Sequence, residues 1–447
     1  MPIGRSDSLA IAALRSVNVD KTFYGLNQFI KNKTWVGKNN SYILDTVKKI
    51  QAELKTGGIR NSRQLSQYIA ASCLLHCADG WSYLGRSIVA LLQGDPHRSC
   101  HLAYYAELRA AMSLLATQGI GVFDRKHLIF DRPRSVVPLK GEYSTHQFAW
   151  DSLKFWSNQP SSGVLFSNVV RPRGISLDDW FAPIGGANAI APQAERWFQQ
   201  WGMDLKLGFD DRNARNESSY RPDGLLQMWK VLPKDVVNFV SDLWTTLEPS
   251  ADSRFDVIDK YILRFAFETY HRGTKGSSAK ANPSQFRQLI SRVLDGQNFS
   301  AEVRKLWEDF LTRETSKRDP VIFHLSSQPP TVRGESYAGI IARAALLLRV
   351  SSGATLNLIK SADLAADSMT FWWDNLGISR GLWEGSKNAT DLLDLWSDIE
   401  LLLKEVEKFQ SGLGATDHSF LALTREFGRD LIGFGSCERV AIWSMTP

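Results

Sequence analysis

Residues 390–410, TDLLDLWSDIELLLKEVEKFQ, carry Leu392, Leu395, Trp396, Ile399, Leu402, Leu403, Val406 and Phe409 in steps of three and four. A chain that turns once every 3.6 residues lines these side chains up on one face, so the stretch predicts an amphipathic helix. The same spacing recurs upstream. Leu102, Tyr105, Leu108, Met112 and Leu115 follow Pro96, which suits a first helical turn, and precede Gly119, a natural stop. This predicts a helix over about 96–118. Ser62 is placed to cap a helix through Leu65, Ile69 and Leu75, and Gly80 and Gly94 punctuate it, so 62–118 reads as three helices with short links.

Further helical patterns fall at 145–156, 192–201, 236–247, 255–270, 284–295, 300–315, 336–350, 355–375 and 418–432. Strand character is confined to Val122-Phe123 and His127 to Phe130, separated by Asp124-Arg125-Lys126. That pattern predicts one small β-hairpin near 121–131. From Pro133 to Gly186 the chain is rich in Pro, Gly and Ser, apart from the helix at 145–156. Gly273 to Pro283, with Gly276, Ser277 and Ser278, has linker composition and divides the chain into 1–272 and 284–447. No fixed-period repeat supports a solenoid. The expected fold is all-α, two helical domains and one small hairpin.

At 447 residues, 43% hydrophobic and 22% charged, the chain has the composition of a globular protein with substantial cores. Its 15 tryptophans suit thick helix packing or a partner surface. Four cysteines in so long a chain do not make a disulfide framework, which points to a reducing, cytoplasmic setting. The apolar run Leu9 to Leu14 is short for a secretory core and is closed by Arg15. Ala338 to Val350 contains Arg343 and Arg349 and falls short of the roughly 20 residues that span a bilayer, so no membrane span is expected. A net charge of +6 is mild; what matters is clustering. Arg125, Lys126, Arg132 and Arg134 form one basic group, Arg171 and Arg173 a second, and Arg212, Arg215 and Arg221 a third. On loops beside helices, these groups are expected to converge on one nucleic-acid-binding surface through Arg125, Arg134, Arg173, Arg212, Arg215 and Arg221.

The third group lies in Asp210-Asp211-Arg212-Asn213-Ala214-Arg215-Asn216-Glu217-Ser218-Ser219-Tyr220-Arg221. Guanidinium forks suit phosphates or carboxylates, so this segment needs either an anionic ligand or an internal acid such as Asp210, Asp211 or Glu217. The run from Arg215 to Tyr220 resembles the arginine, polar residue, spacer and histidine motif of the HEPN superfamily of helical nucleotide-binding and ribonuclease domains. The resemblance covers a short motif in a helical context, with the domain at about 62–232. It implies metal-independent action on RNA, often by a homodimer in prokaryotic defence or toxin systems. Arg215 would contact phosphate, Asn216 would orient its neighbour, and Tyr220 would stand in the histidine's place. An unperturbed tyrosine titrates near 10 and is a poor general base at neutral pH, so this departure favours binding over cleavage.

Other constellations have simpler readings. Cys73, His76 and Cys77 on one helix and His97, Cys100 and His101 on another could face each other around zinc, but free cysteine is ordinary core material, and a metal-free core is expected. Gly273 to Ser277 lacks phosphate-loop spacing and Gly185-Gly186 lacks a strand-turn-helix setting, so no cofactor is expected. Glu107 and Arg109 read as an internal ion pair. The Arg318 to His324 spacing is interrupted by Pro320 and Val321-Ile322, which argue against a helix. Two functions remain. One is an RNA- or nucleotide-binding protein working through Arg212 to Arg221; the other is a helical scaffold that holds a protein partner on tryptophan-rich faces. They differ over Arg215, which faces an anion in the first and pairs with carboxylates in the second.

Overall fold

The computed structural model describes residues 3–186, 198, 204–220, 231–273, 283–313, 319–329, 336–383, 392–412 and 419–447. It is all-α with one small antiparallel sheet. The hairpin expected near 121–131 is part of a three-stranded sheet. In it β1 (Ile120–Gly121) pairs with β2 (Leu128–Arg132), and β2 pairs with β3 (Ser135–Pro138). Ile120 faces Ile129, Phe130 faces Val136, and a bulge between Phe130 and Arg132 shifts the last pair.

Contacts divide the chain into two units, neither a continuous stretch. The first comprises Met1–Trp156, Leu205–Ser241 and Pro329–Pro447, and the second Ser157–Asp204 and Asp242–Gln328. The boundary expected at 273–283 is therefore not where the contacts part, and residues 274–282 lie outside those described, as does most of the helix expected at 192–201.

Three helices form the core of the first unit: α1 (Ser62–Leu92), α2 (Pro96–Thr117) and α4 (Ser336–Ser361); α3 (Leu207–Tyr220) packs on α2. The expected break at Gly80 is absent, because α1 runs on through Gly80 and Gly85. These glycines serve packing. A β-carbon at Gly80 would lie 2.6 Å from a Leu348 methyl and 3.3 Å from the Ala106 carbonyl, and one at Gly85 would lie 1.8 Å from the Gly435 carbonyl oxygen. Glycine there lets α1 approach its neighbours at backbone distance. Gly94, at φ 80°, follows the end of α1, and Gly119, at φ 88°, follows the end of α2, both as expected. The α1 cap is Asn61, whose side chain accepts from the Gln64 amide, while the Ser62 hydroxyl bridges the amide and carbonyl of Val136 and ties the helix start to β3.

Asp95 caps α2 through the Arg98 amide, ahead of Pro96. The buried face of α2 is built on Ala103, Tyr104, Glu107, Ala110, Ala111 and Leu114, whereas Leu102, Tyr105 and Met112 are only half-buried. Helix α4 joins what the pattern split into 336–350 and the start of 355–375. Its stretch Tyr337–Ser361 is long and apolar enough to cross a membrane, but its most apolar 18-residue window is 89% buried inside the protein. There Ser352 holds Trp81 Nε1 at 2.9 Å and Cys77 Sγ at 3.4 Å, so α4 is bonded to α1 by side chains that exclude water.

The second unit packs Trp180 against Phe299 and Trp307, and Phe181 against Phe267. Its helices include Pro160–Val169, Asp256–Gly273, Pro283–Asp295 and Ala301–Thr312. Arg264, 3% exposed, is neutralised by Asp319 and Glu268. Pro320 precedes a short helix, Val321–Leu325, where none was expected, since proline is tolerated at a helix start; Arg318 lies outside the described residues.

Candidate functional site

The first unit contains a charged cluster in its core and, one helical turn away, an array of aromatic rings and guanidinium groups. Both depend on the spacing of Gly208, Asp211 and Arg215, which share the buried face of α3. A β-carbon at Gly208 would stand 2.6 Å from the Trp150 ring, so glycine lets α3 settle against that indole. One turn on, the Asp211 carboxylate accepts two bonds from Arg343, Nε at 2.7 Å and Nη2 at 2.6 Å. Asp211 and Arg343 are 0% and 1% exposed.

Glu107 of α2 completes the cluster. Burial first, then the Asp211 charge, push its carboxyl well above the usual range, which favours its neutral form. Asp211 is also raised by burial, against the pull of Arg343. We hold Asp211 ionised and Glu107 protonated, because only Asp211 has the bidentate guanidinium. The ion pair expected between Glu107 and Arg109 does not form. Two residues apart, the side chains diverge, and Arg109 instead reaches His76 Nδ1 at 2.8 Å and Asp79 at 3.8 Å.

Arg215, the next turn of α3, is 9% exposed. Its guanidinium carbon lies 5.5 Å from the ring centres of both Tyr104 and Tyr105. Among the described residues no carboxylate pairs with it, and its Nε has no hydrogen-bond partner. Of the three acids expected to serve it, Asp211 is taken by Arg343, Asp210 is exposed, and Glu217 is half-buried two residues further along α3.

Around Arg215 the rings and cations alternate. Tyr83 of α1 stacks on Tyr105 at 5.6 Å, with the Arg86 guanidinium carbon 5.6 Å from the Tyr83 ring centre. His101 lies 5.1 Å from the Tyr105 ring and bonds Ser219 Oγ through Nδ1 at 2.9 Å. Tyr104 stacks on His146 and bonds its Nδ1 at 2.8 Å. Burial pushes the Tyr104 phenol up, so its hydroxyl donates and His146 accepts. Burial, then Arg215 and Arg212, pull His146 down to about 4; burial and Arg215 lower His101. Both imidazoles are neutral at pH 7, and the positive charge of this surface rests on arginines.

The residues singled out in the sequence belong to separate elements. Arg212 and Asn216 are half-buried on α3 beside Arg215, whereas Tyr220 is 80% exposed at the helix end; Arg221 lies outside the described residues. The expected loop is thus a helix up to Tyr220. Arg125 and Arg134 are exposed in the β1–β2 and β2–β3 turns with φ of 57° and 62°, and the Arg134 amide donates to Thr22. Arg173, φ 53°, belongs to the second unit, where its amide donates to Asp256 and its guanidinium covers Phe299. These three arginines hold left-handed turns in separate elements, Arg173 in the second unit.

Nor do the two sulfur and imidazole trios meet: among the described residues no group of three or more His, Cys, Asp or Glu is spaced to hold an ion. Cys73 bonds the Ile69 carbonyl, Cys77 meets Ser352, His76 takes Arg109 and His101 takes Ser219.

Sequence reasoning missed Tyr83, Arg86, Tyr104 and His146, and placed Tyr105 in the core. The usable signal was the sequence His101, Tyr104, Tyr105, polar-edged rings at steps of three and four on one side of an otherwise apolar helix. No protein-family model, curated protein or solved structure matches this chain.

Proposed function

We propose that the protein binds nucleotide phosphate, as carried by single-stranded RNA or a free nucleotide, at the array of Arg86, Tyr83, Tyr105, Arg215 and Arg212. The observation that carries the proposal is Arg215: nine-tenths buried, clasped by Tyr104 and Tyr105, and without a carboxylate among the described residues. A guanidinium withdrawn from water without a counter-charge is costly, and an incoming phosphate would relieve that cost. Rings alternating with cations also suit nucleic acid, since bases stack on the rings while the arginines follow the backbone.

The likeness of Arg215 and Asn216 to the HEPN motif supports RNA as the ligand. With Tyr220 in the histidine's place and 80% exposed, the site is suited to holding a strand rather than cutting it. The scaffold reading has less support, because among the described residues no tryptophan is exposed.

Fluorescence polarisation with labelled oligouridylate, competed by unlabelled ATP, tests the proposal and separates the two sources of phosphate. Three cations on a single strand give a salt slope of about −2, so raising salt fourfold should weaken binding roughly 20-fold. No binding of either ligand at low salt would sink the proposal.

A further inference from the structure

One turn of α2 beyond Tyr105, Arg109 opens onto a cleft of about 350 Å³ within the first unit. That volume is in the range of small-molecule sites. Its walls come from α1 (Tyr68, His76), α2 (Arg109, Met112) and the segment at β1 (Val122, Phe123). Tyr68 and Phe123 stand 6.3 Å apart at 35°, and with Met112 they give the cleft a flat, polarisable lining.

The polar groups converge on one type of partner. Arg109 Nη1 lies 2.8 Å from His76 Nδ1. A guanidinium only donates, so Nδ1 is the acceptor and the imidazole proton sits on Nε2. Burial and the adjacent Arg109 push His76 down to about 3, which keeps that ring neutral. Arg109 retains further donors, since its contact with Asp79 is long, 3.8 Å, and Asp79 is exposed. His76 thus holds the guanidinium through Nδ1, and the remaining N–H donors of Arg109 are left for a ligand in the cleft. Two acids, Asp45 and Asp124, also line the cleft. Asp45 is held by Lys48 at 2.9 Å, and Asp124 is exposed. Their charge disfavours a dianion and tolerates a monoanion.

We infer that this cleft binds a small organic monocarboxylate with a flat apolar body, its carboxylate held by Arg109, which His76 positions, and its body between Tyr68, Phe123 and Met112. The inference stands apart from the phosphate site, because it uses neither Arg215 nor any ring of the array.

Benzoate, benzamide and phenyl phosphate are the probes, read on the full chain by saturation-transfer NMR and titration calorimetry. Benzoate should bind at about 1 mM or tighter, with benzamide and phenyl phosphate each roughly tenfold weaker or worse. Arg109→Gln should lose benzoate binding while keeping its melting temperature. In the wild-type protein, the methyl resonance of Met112, assigned with Met112→Leu, should shift with benzoate, which locates the ligand whichever way the arginine variant folds. Equal binding of benzamide, tighter binding of phenyl phosphate, an unmoved Met112 methyl, or full benzoate binding by a folded Arg109→Gln would each overturn the inference.

Discussion

Replacing Arg343 by methionine keeps much of the apolar stem of the side chain and removes its charge, which leaves Asp211 buried without a partner. The two bonds lost are 2.6 and 2.7 Å long, between groups 0% and 1% exposed, so solvent does not screen or replace them. Breaking such a pair on one side costs on the order of 3–5 kcal/mol, a large share of a typical 5–15 kcal/mol stability. At about 2–3 °C per kcal/mol, the melting transition should fall by roughly 6–15 °C at pH 7.

The deficit should depend on pH. Without Arg343, burial raises Asp211 further, so the folded protein takes up a proton that the unfolded chain does not hold near neutrality. Stability is then regained as pH falls, and the gap from wild type should narrow between pH 7 and 5. Removing both charges in Asp211→Leu with Arg343→Met should recover much of the loss, because an apolar pair leaves no buried charge. Differential scanning fluorimetry on the two single variants and the double variant reads all of this. If Arg343→Met melts within a degree of wild type at pH 7, or the double variant is as unstable as the sum of the singles, the pair does not hold α3 in place.

Glu107→Gln fixes the neutral form. Wild-type Glu107 is raised, so its favourable contribution is complete below its ordinary value of 4.5 and declines as pH rises above it; in melting curves from pH 4 to 8 the variant should gain on wild type as pH rises, and parallel curves would count against a protonated Glu107. Gly85→Ala drives a methyl to 1.8 Å from the Gly435 carbonyl, and a loss of about 3 kcal/mol or more is expected in chemical denaturation; a tolerated alanine would mean that the close approach is not required. Tyr220→Phe should leave RNA binding within about twofold, since the ring is 80% exposed and the site is built on α1, α2 and the preceding turns of α3; a fall of about 100-fold in any cleavage activity would instead assign the hydroxyl a proton-transfer role.

Helical periodicity made most of the fold legible, because each helix carries its own record of which face is buried. It failed where a residue serves a distant partner. Gly80 reads locally as a break, yet it is required by Leu348 and Ala106. The second unit is assembled from two separated stretches, which composition at 273–283 could not reveal. For the site, the Arg212 to Tyr220 stretch drew attention through its own polarity, and Arg215 does stand at the centre of the array. Its neighbours come from 83–86, 101–105 and 146, and the acid beside it pairs with Arg343, 132 positions away. Charge counting along the chain treated Arg125, Arg134 and Arg173 as equals of Arg215, although they occupy left-handed turns in other elements.

The central claim is that Arg215 is an anion-binding residue and not a structural one. Measuring oligouridylate affinity and melting temperature together on wild type and Arg215→Ala tests it most directly. A charged hydrogen-bond donor to phosphate contributes about 1.5–3 kcal/mol, so affinity should fall by roughly one to two decades while the melting temperature stays within a few degrees. A sharp loss of melting temperature with unchanged affinity would contradict the account and make Arg215 a brace between α2 and α3.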